Sequence, residues 1–350
     1  MKVGITYDLK DDYLARGMTK ETCAEFDSIE TIDAIDAFLK SRGLETERIG
    51  NIEALTRALA AGKRWDCVFN IAEGLYGCGR EAQVPALLDA YQIPYVFSDP
   101  LVLALTLDKA LTKRVVRDAG VPTAEFYIVG RGARDKGREK KSSFFDPRSS
   151  TLAFPLFVKP NADGTGKGIT EKSLVHNEKE LQKAVSDIHA RFNQPALAEQ
   201  YLPGREFTVG ITGTGEESRV IGVMEILLLD KADICGYTYD NKQQYEERVR
   251  YKLVDDSEAK QTADIALSAW RILGCRDGGR IDMRSDAEAK PHFLEVNPLA
   301  GLHPVLGDLV ILSKLSGLTY HDLLNRILDS ALNDLSRFPP HNKPAITAYA

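Results

Sequence analysis

Gly278-Gly-Arg-Ile-Asp-Met-Arg284, followed after a short gap by His292-Phe-Leu-Glu-Val-Asn297, is the stretch on which the reading of this chain turns. Both runs read as strands. In an extended chain successive side chains point to opposite faces, so Glu295 and Asn297 share one face. If the two runs pair, Asp282 joins them, and two carboxylates and an amide converge. Hard cations take such an all-oxygen set, and magnesium on nucleotide phosphates is its usual occupant. The competing reading is three solvated polar residues beside a hairpin, because acidic pairs are common.

Working outward, two further segments bear on the same chemistry. Lys159-Pro-Asn-Ala-Asp-Gly-Thr-Gly-Lys-Gly168 is a strand end running into Gly164, Gly166 and Gly168. Such a turn can offer backbone N–H groups to an anion, with Lys159 and Lys167 adding charge. It is neither a GxxxxGK[ST] loop nor a GxGxxG that opens a helix, and a tight hairpin turn would look the same. Leu197-Ala-Glu199-Gln-Tyr-Leu202-Pro-Gly-Arg-Glu206 places two carboxylates seven apart around a short apolar strand. One could hold an adenine amine and the other ribose hydroxyls; taken alone, a strand–turn–strand with solvated glutamates explains it as well.

The 350 residues carry 45 Lys+Arg against 51 Asp+Glu, a formal charge of −6, which excludes a broadly basic nucleic-acid binder. Hydrophobic residues at 43% and charged ones at 27% are globular values. No apolar run approaches the roughly 20 residues that a bilayer requires. The start, MKVGITYDLKDD, reads as a first strand and not a signal peptide. The five cysteines are scattered and never form a CxxC pair, which suggests reduced thiols in a cytosolic protein, with neither zinc nor disulfides.

The first hundred residues alternate strand and helix patterns: strands at 2–6, 46–49, 67–71 and 94–97, helices at 28–41, 53–61 and 81–91. That alternation predicts an open parallel sheet covered on both faces, with ligands beyond the strands' carboxyl ends. AEGLYGCGRE, after the strand CVFNI, is therefore a place for ligand contacts. A leucine-rich helix is expected over 101–118 and a strand over 123–129, then a charged surface loop to residue 150. Further strands are expected at 154–159, 196–199, 206–212, 219–228, 279–284 and 292–296. Helices are expected after Asn177, capped with Glu180 three residues on, over 257–273 around a buried Trp270, and over 319–335. Residues 235–251 read as a loop over a site. The division is an N-terminal α/β substrate domain at 1–107, a central lid lobe at 108–208, a C-terminal lobe at 209–336 and a tail at 337–350.

Taken in order, these segments resemble the ATP-grasp fold (α/β with α+β lobes, behind an N-terminal open parallel-sheet domain), and most closely the D-alanine–D-alanine ligases. Asp108-Lys109-x-x-x-Lys113 before Gly-Val-Pro, NIAEGLYGCGREAQVPALLDAYQIPYVFSD, GRIDMR and LEVNPLAGLHP are similar to that family's segments. The resemblance runs from about residue 1 to residue 335. It implies an ATP-dependent ligase that joins a carboxylate to an amine through an acylphosphate, in the simplest case two D-alanines. Lys109 and Lys159 then hold ATP phosphates, with Gly164, Gly166 and Gly168 in the turn above them. Glu199, Gln200, Tyr201 and Leu202 form the adenine hinge, and Glu206 binds ribose. Asp282, Glu295 and Asn297 hold two Mg2+ ions, for which Mn2+ can substitute. Arg280, beside the backbone of Gly301, steadies the tetrahedral intermediate, Glu25 orients the first substrate's amino group, and Lys242 matches a loop lysine at the nucleotide. The resemblance further implies small amino-acid substrates, a cytoplasmic location and a homodimer, with neither nucleic acid nor membrane as partner.

The pattern departs from the family in its amino-acid half. Thr165 stands where the family carries serine and Gln243 where it carries tyrosine. Past Gly301 the chain reads Leu302-His303-Pro304 where a serine is expected. A related ligase for another carboxylate and amine is the rival reading, and a non-catalytic nucleotide-binding regulator the third.

Overall fold

The computed structural model describes residues 1–130, 153–232, 241 and 245–337. Strands β1 (Lys2–Thr6), β2 (Glu45–Gly50), β3 (Cys67–Asn70) and β4 (Tyr95–Val96) form a parallel sheet in the order β2-β1-β3-β4. The helix Ile29–Ser41 covers it through Ile32, Ile35, Phe38 and Leu39, all buried. Burying such a stripe is what holds a surface helix in place.

The middle of the chain forms an antiparallel sheet, in the order β5-β8-β6-β7, from β5 (Phe126–Val129), β6 (Leu156–Pro160), β7 (Leu174–Val175) and β8 (Ala196–Gln200). The helix Glu178–Phe192 packs on it through Leu181, Val185 and Ile188. Asn177 caps that helix by accepting from Glu180 N at 3.1 Å, and the Glu180 carboxylate accepts from His176 N at 2.8 Å. The third sheet, order β11-β10-β9-β12-β13, is antiparallel. Its strands are β9 (Glu206–Thr212), β10 (Arg219–Leu228), β11 (Val249–Leu253), β12 (Gly278–Ser285) and β13 (Pro291–Asn297). The helix Ser257–Leu273 closes its core with Trp270, fully buried. The last long helix, Tyr320–Asn333, returns to the first sheet: Leu323, Leu324, Ile327 and Leu328 share a core with Val3, Ile5 and Phe38.

Three expectations are corrected. The helix expected over 101–118 is two, Pro100–Leu107 and Lys109–Asp118. Asp108 leaves the helical region (φ −86°, ψ 99°) and caps the second helix by accepting from Leu111 N at 2.9 Å. A cap needs non-helical backbone, so the break follows from the cap. The strand expected from Thr123 begins at Phe126; Thr123 makes only an isolated bridge to Phe293. The described end of the 235–251 loop is a helical turn, Tyr245–Arg248, and then β11. Helices Lys10–Ala15 and Asp308–Leu315 had no periodic signal because they are six and eight residues long.

Candidate active site

The register of β12 against β13 sets Asp282 opposite Glu295 and Arg280 opposite Asn297. β9 flanks β12 on its other side with Thr208 opposite Asp282, and Thr208 Oγ1 donates to Asp282 Oδ1 at 2.8 Å. The Arg280 guanidinium ion-pairs with Asp282 and lies 3.8 Å from the Asp308 carboxylate. Asn297 Nδ2 lies 3.4 Å from Asp282 Oδ2. Lys109 begins its helix just past the break at Asp108, and its Nζ is 3.1 Å from Glu295 Oε2 and donates to Asp163 O. The structure thus gathers Asp282, Glu295 and Asn297, as the alternation of the strands predicted, each carboxylate balanced by a cation.

Among the described residues no three His, Cys, Asp or Glu side chains form a metal cluster. What fits a divalent cation here is the donor chemistry: two carboxylates and an amide oxygen are hard donors of the kind Mg2+ prefers.

Behind this group lies a buried ion triad. Glu199 on β8 accepts from Lys159 on β6 at 2.8 Å and pairs with Lys113 at 3.0 Å. Burial opposes the charge on Glu199, but Lys113 and then Lys159 overcome it and hold the carboxyl at about 2. Of the two ammonium groups only that of Lys159 lies on a cleft wall, where it can meet phosphate oxygens. Lys113 also donates to Thr123 Oγ1 at 2.8 Å and to Phe293 O at 3.1 Å, joining the middle lobe to β13. The side chain of Glu199 is therefore held by lysines, and Gln200, Tyr201 and Leu202 follow it along the wall of a cleft. Glu206 pairs with Arg284 at 3.5 Å, and Arg284 donates to Tyr201 Oη at 3.2 Å. A narrow cleft of ≈ 70 Å³ runs between these residues, with Lys159, Gly166, Leu202 and Asp282 on its walls.

Glu295 also lines a second cavity, of ≈ 610 Å³, with Glu25, Thr165, Arg280, Gly301 and His303 on its walls. In it Glu25 accepts from Arg80 through both oxygens at 3.0 Å and from Lys167 at 2.6 Å. Burial pushes the Glu25 carboxyl up, but Arg80 and then Lys167 bring it below the usual carboxylate range. Arg80 also donates to Ala162 O at 3.3 Å, which ties the glycine-rich turn to the first sheet. A side chain at Gly164 would meet the Glu25 carboxylate. Thr165 sits at φ 54°, a left-handed conformation that threonine adopts rarely and that marks a constrained turn. Lys167 serves Glu25 and Asp163, 3.2 Å away, rather than an anion site in the turn. Lys242 and Gln243 lie outside the described residues.

Sequence reasoning singled out the segment AEGLYGCGRE but not Arg80, Glu73 or Glu81 within it. Burial lifts the Glu81 carboxyl to about 7, against the pull of Arg80. A charged triplet so near a strand's carboxyl end was the available signal, but the partner that gives it a place in the site is distant, since Arg80 pairs Glu25 across 55 positions.

Sheets and site together define an ATP-grasp protein, whose fold is that of solved D-alanine–D-alanine ligases. The ligase from Bacillus anthracis complexed with ATP superposes with a TM-score of 0.71 at 19% identity, covering 96% of this chain and 98% of that one. The D-Ala:D-Ser ligase VanG from Enterococcus faecalis gives 0.70 at 18% identity, over 94% and 99%. The family model described as the D-ala D-ala ligase C-terminus matches residues 115–329. Among curated relatives, a D-alanine–D-alanine ligase of Bordetella petrii is 31% identical over 84% of both chains. An uncharacterised protein of Sinorhizobium fredii is 34% identical over 75% of this chain and 74% of its own. The chain belongs to the D-alanine–D-alanine ligase family.

Proposed function

We propose that the protein is an ADP-forming carboxylate–amine ligase that joins two amino acids, with two D-alanines as the first pair to test. The observation that carries this reading is the meeting of two cavities at Glu295, where Lys109, Arg280, Asp282 and Asn297 also converge. One cavity sets Lys159 beside the carboxylates that a triphosphate's divalent cations would need, and the other has the volume for two small amino acids. A carboxylate is a poor electrophile. In the reaction its oxygen takes the γ-phosphoryl group of ATP and ADP leaves; the amine then attacks the acylphosphate, loses a proton, and phosphate departs.

Asp282, Glu295 and Asn297 would hold two Mg2+ ions, or Mn2+ in their place, which supply neutralisation of phosphate charge when bound. Lys109 and Lys159 orient the phosphates, the Glu199–Leu202 backbone meets adenine and Glu206 the ribose. Arg280 offers a forked donor set to the oxyanion of the tetrahedral intermediate, with Gly301 beside it. Water competes for an acylphosphate, so the turn at Gly164–Gly168 acts as a cover, held down through Glu25. We infer that the central lobe, taken as residues 108–208, swings to admit ATP to this narrow cleft.

The pairing of Glu25 with Arg80 and Lys167 favours a second reading, in which the acyl substrate is not D-alanine, because the carboxylate that would hold its ammonium is already satisfied. ADP release measured with D-alanine alone, and then across a panel of amino-acid pairs, decides between them. ADP from D-alanine supports the first reading, ADP from another pair the second, and ADP from none refutes both. A homodimer in the cytoplasm is the setting we infer; no helix among the described residues is long and apolar enough to cross a membrane.

A further inference from the structure

The ≈ 610 Å³ cavity carries more negative charge than its own residues balance. Four carboxylates on its walls have cations: Glu295 has Lys109, Asp308 has Arg280, Asp163 has Lys167, and Glu25 has both Arg80 and Lys167. Glu81 shares Arg80, 3.6 Å away. Among the described residues the side chains of Asp27 and Glu73, on the same walls, make no ion pair. Lys10 lines the cavity without an ion pair too, and balances one of them at most.

Asp8 fixes where these two carboxylates stand. Its side chain accepts from Gly74 N at 2.8 Å, and its backbone carbonyl accepts from Asp27 N at 3.1 Å. A side chain at Gly74 would meet Arg80 O, so the loop after β3 folds back on itself with Glu73 on the cavity wall. Burial, and then Glu81 and Glu25, push the Glu73 carboxyl well above the usual carboxylate range. A carboxylate so placed is relieved by a proton or by a cation. An uncharged group points the same way. Thr31, fully buried in the helix Ile29–Ser41, lines the cavity, and its Oγ1 has no hydrogen-bond partner among the described residues. Buried hydroxyls are rarely left so, and a hydroxyl oxygen, like a carboxylate, accepts from an ammonium. An amino acid with a neutral side chain enters as a zwitterion and leaves the surplus as it was. A cationic side chain offsets it, and the cavity has room for one.

We propose that one of the two amino acids joined here carries a second cationic group, an amine or a guanidinium on its side chain, with Glu73 as the specificity-determining counter-ion and Thr31 Oγ1 as a further acceptor. This inference rests on the ligase reading and names the class of substrate that fills its cavity.

Steady-state ADP release is measured with ornithine and with arginine, each in D and L form, alone and paired with D-alanine. Each is compared with a neutral amino acid of the same shape, norleucine for ornithine and citrulline for arginine. A hydrogen bond between charged groups predicts a kcat/KM about 10- to 100-fold higher for the cationic member of each couple. Glu73→Gln keeps the shape and removes the charge. It should abolish that preference through a raised KM for the cationic amino acid, with kcat/KM for the neutral one within about threefold and no loss of melting temperature. Thr31→Val removes only the hydroxyl and should raise KM for the cationic amino acid several-fold, the same comparison with every carboxylate in place. ADP release that favours no cationic amino acid, or a preference that survives in Glu73→Gln, overturns this inference alone. A wild-type chain that turns over no pair overturns the ligase reading and this inference with it.

Discussion

Replacing Glu199 by glutamine tests the buried triad directly. The side chains of Lys113, Lys159 and Glu199 are 0%, 6% and 3% exposed, so solvent cannot take over the ammonium groups once the carboxylate is removed. Breaking a buried ion pair by deleting one partner costs about 3–5 kcal/mol. At an unfolding entropy of about 2.1 cal/mol/K per residue, 350 residues give roughly 1.4 °C per kcal/mol, so the melting temperature should fall by about 4–7 °C at pH 7. The pH dependence adds a second signature. The Glu199 carboxyl is held at about 2, below its ordinary value near 4.3, so its stabilisation is complete above that value and is lost as pH falls from about 4 to 2. The variant should lack that acid slope. Adding Lys113→Met restores the wild-type charge count and should recover part of the loss. Recovery stays partial because Thr123 Oγ1 and Phe293 O lose the donor they share. Calorimetry at pH 7 and across pH 2–5 is the assay. A variant that melts within about 1 °C of wild type, with the same acid profile, would refute a charge-based account of this triad.

Three further outcomes follow from the site. Glu295→Gln should reduce ADP formation by at least two orders of magnitude with a native circular dichroism spectrum, and an unchanged rate removes Glu295 from the metal set. Arg280→Ala should lower kcat by about 10²–10³ if its guanidinium faces the oxyanion in a dry cavity; a change confined to thermal stability assigns Arg280 to holding Asp282 and Asp308. Glu81, lifted by burial to about 7, stabilises the fold fully below its ordinary value near 4.3, and that stability drains away as pH rises through 7. Glu81→Gln should therefore flatten the fall in melting temperature between pH 5 and pH 8, and an equal fall in both proteins contradicts the assignment.

Strand and helix periodicity in the chain carried most of the architecture: the alternation in its first hundred residues, the Asn177 cap, and the strands that bring Asp282 and Glu295 face to face. These are local signals, written in the side-chain periods of 2 and 3.6 residues, and one sequence suffices to read them. The β12–β13 pair was legible because only seven residues separate its two motifs. The break at Asp108 was not, since an aspartate within a leucine-rich run fits equally a helix interior facing water or a cap. Only the tertiary structure decided which charges meet. Glu199 looked like a ligand for adenine, yet two lysines from other elements, 86 and 40 positions earlier, claim its carboxylate. Glu25 looked free to hold an ammonium, yet Arg80 and Lys167 saturate it. Coulomb attraction acts through space and leaves no period in the chain, so the partners of a buried charge emerge only when the sheets are brought together.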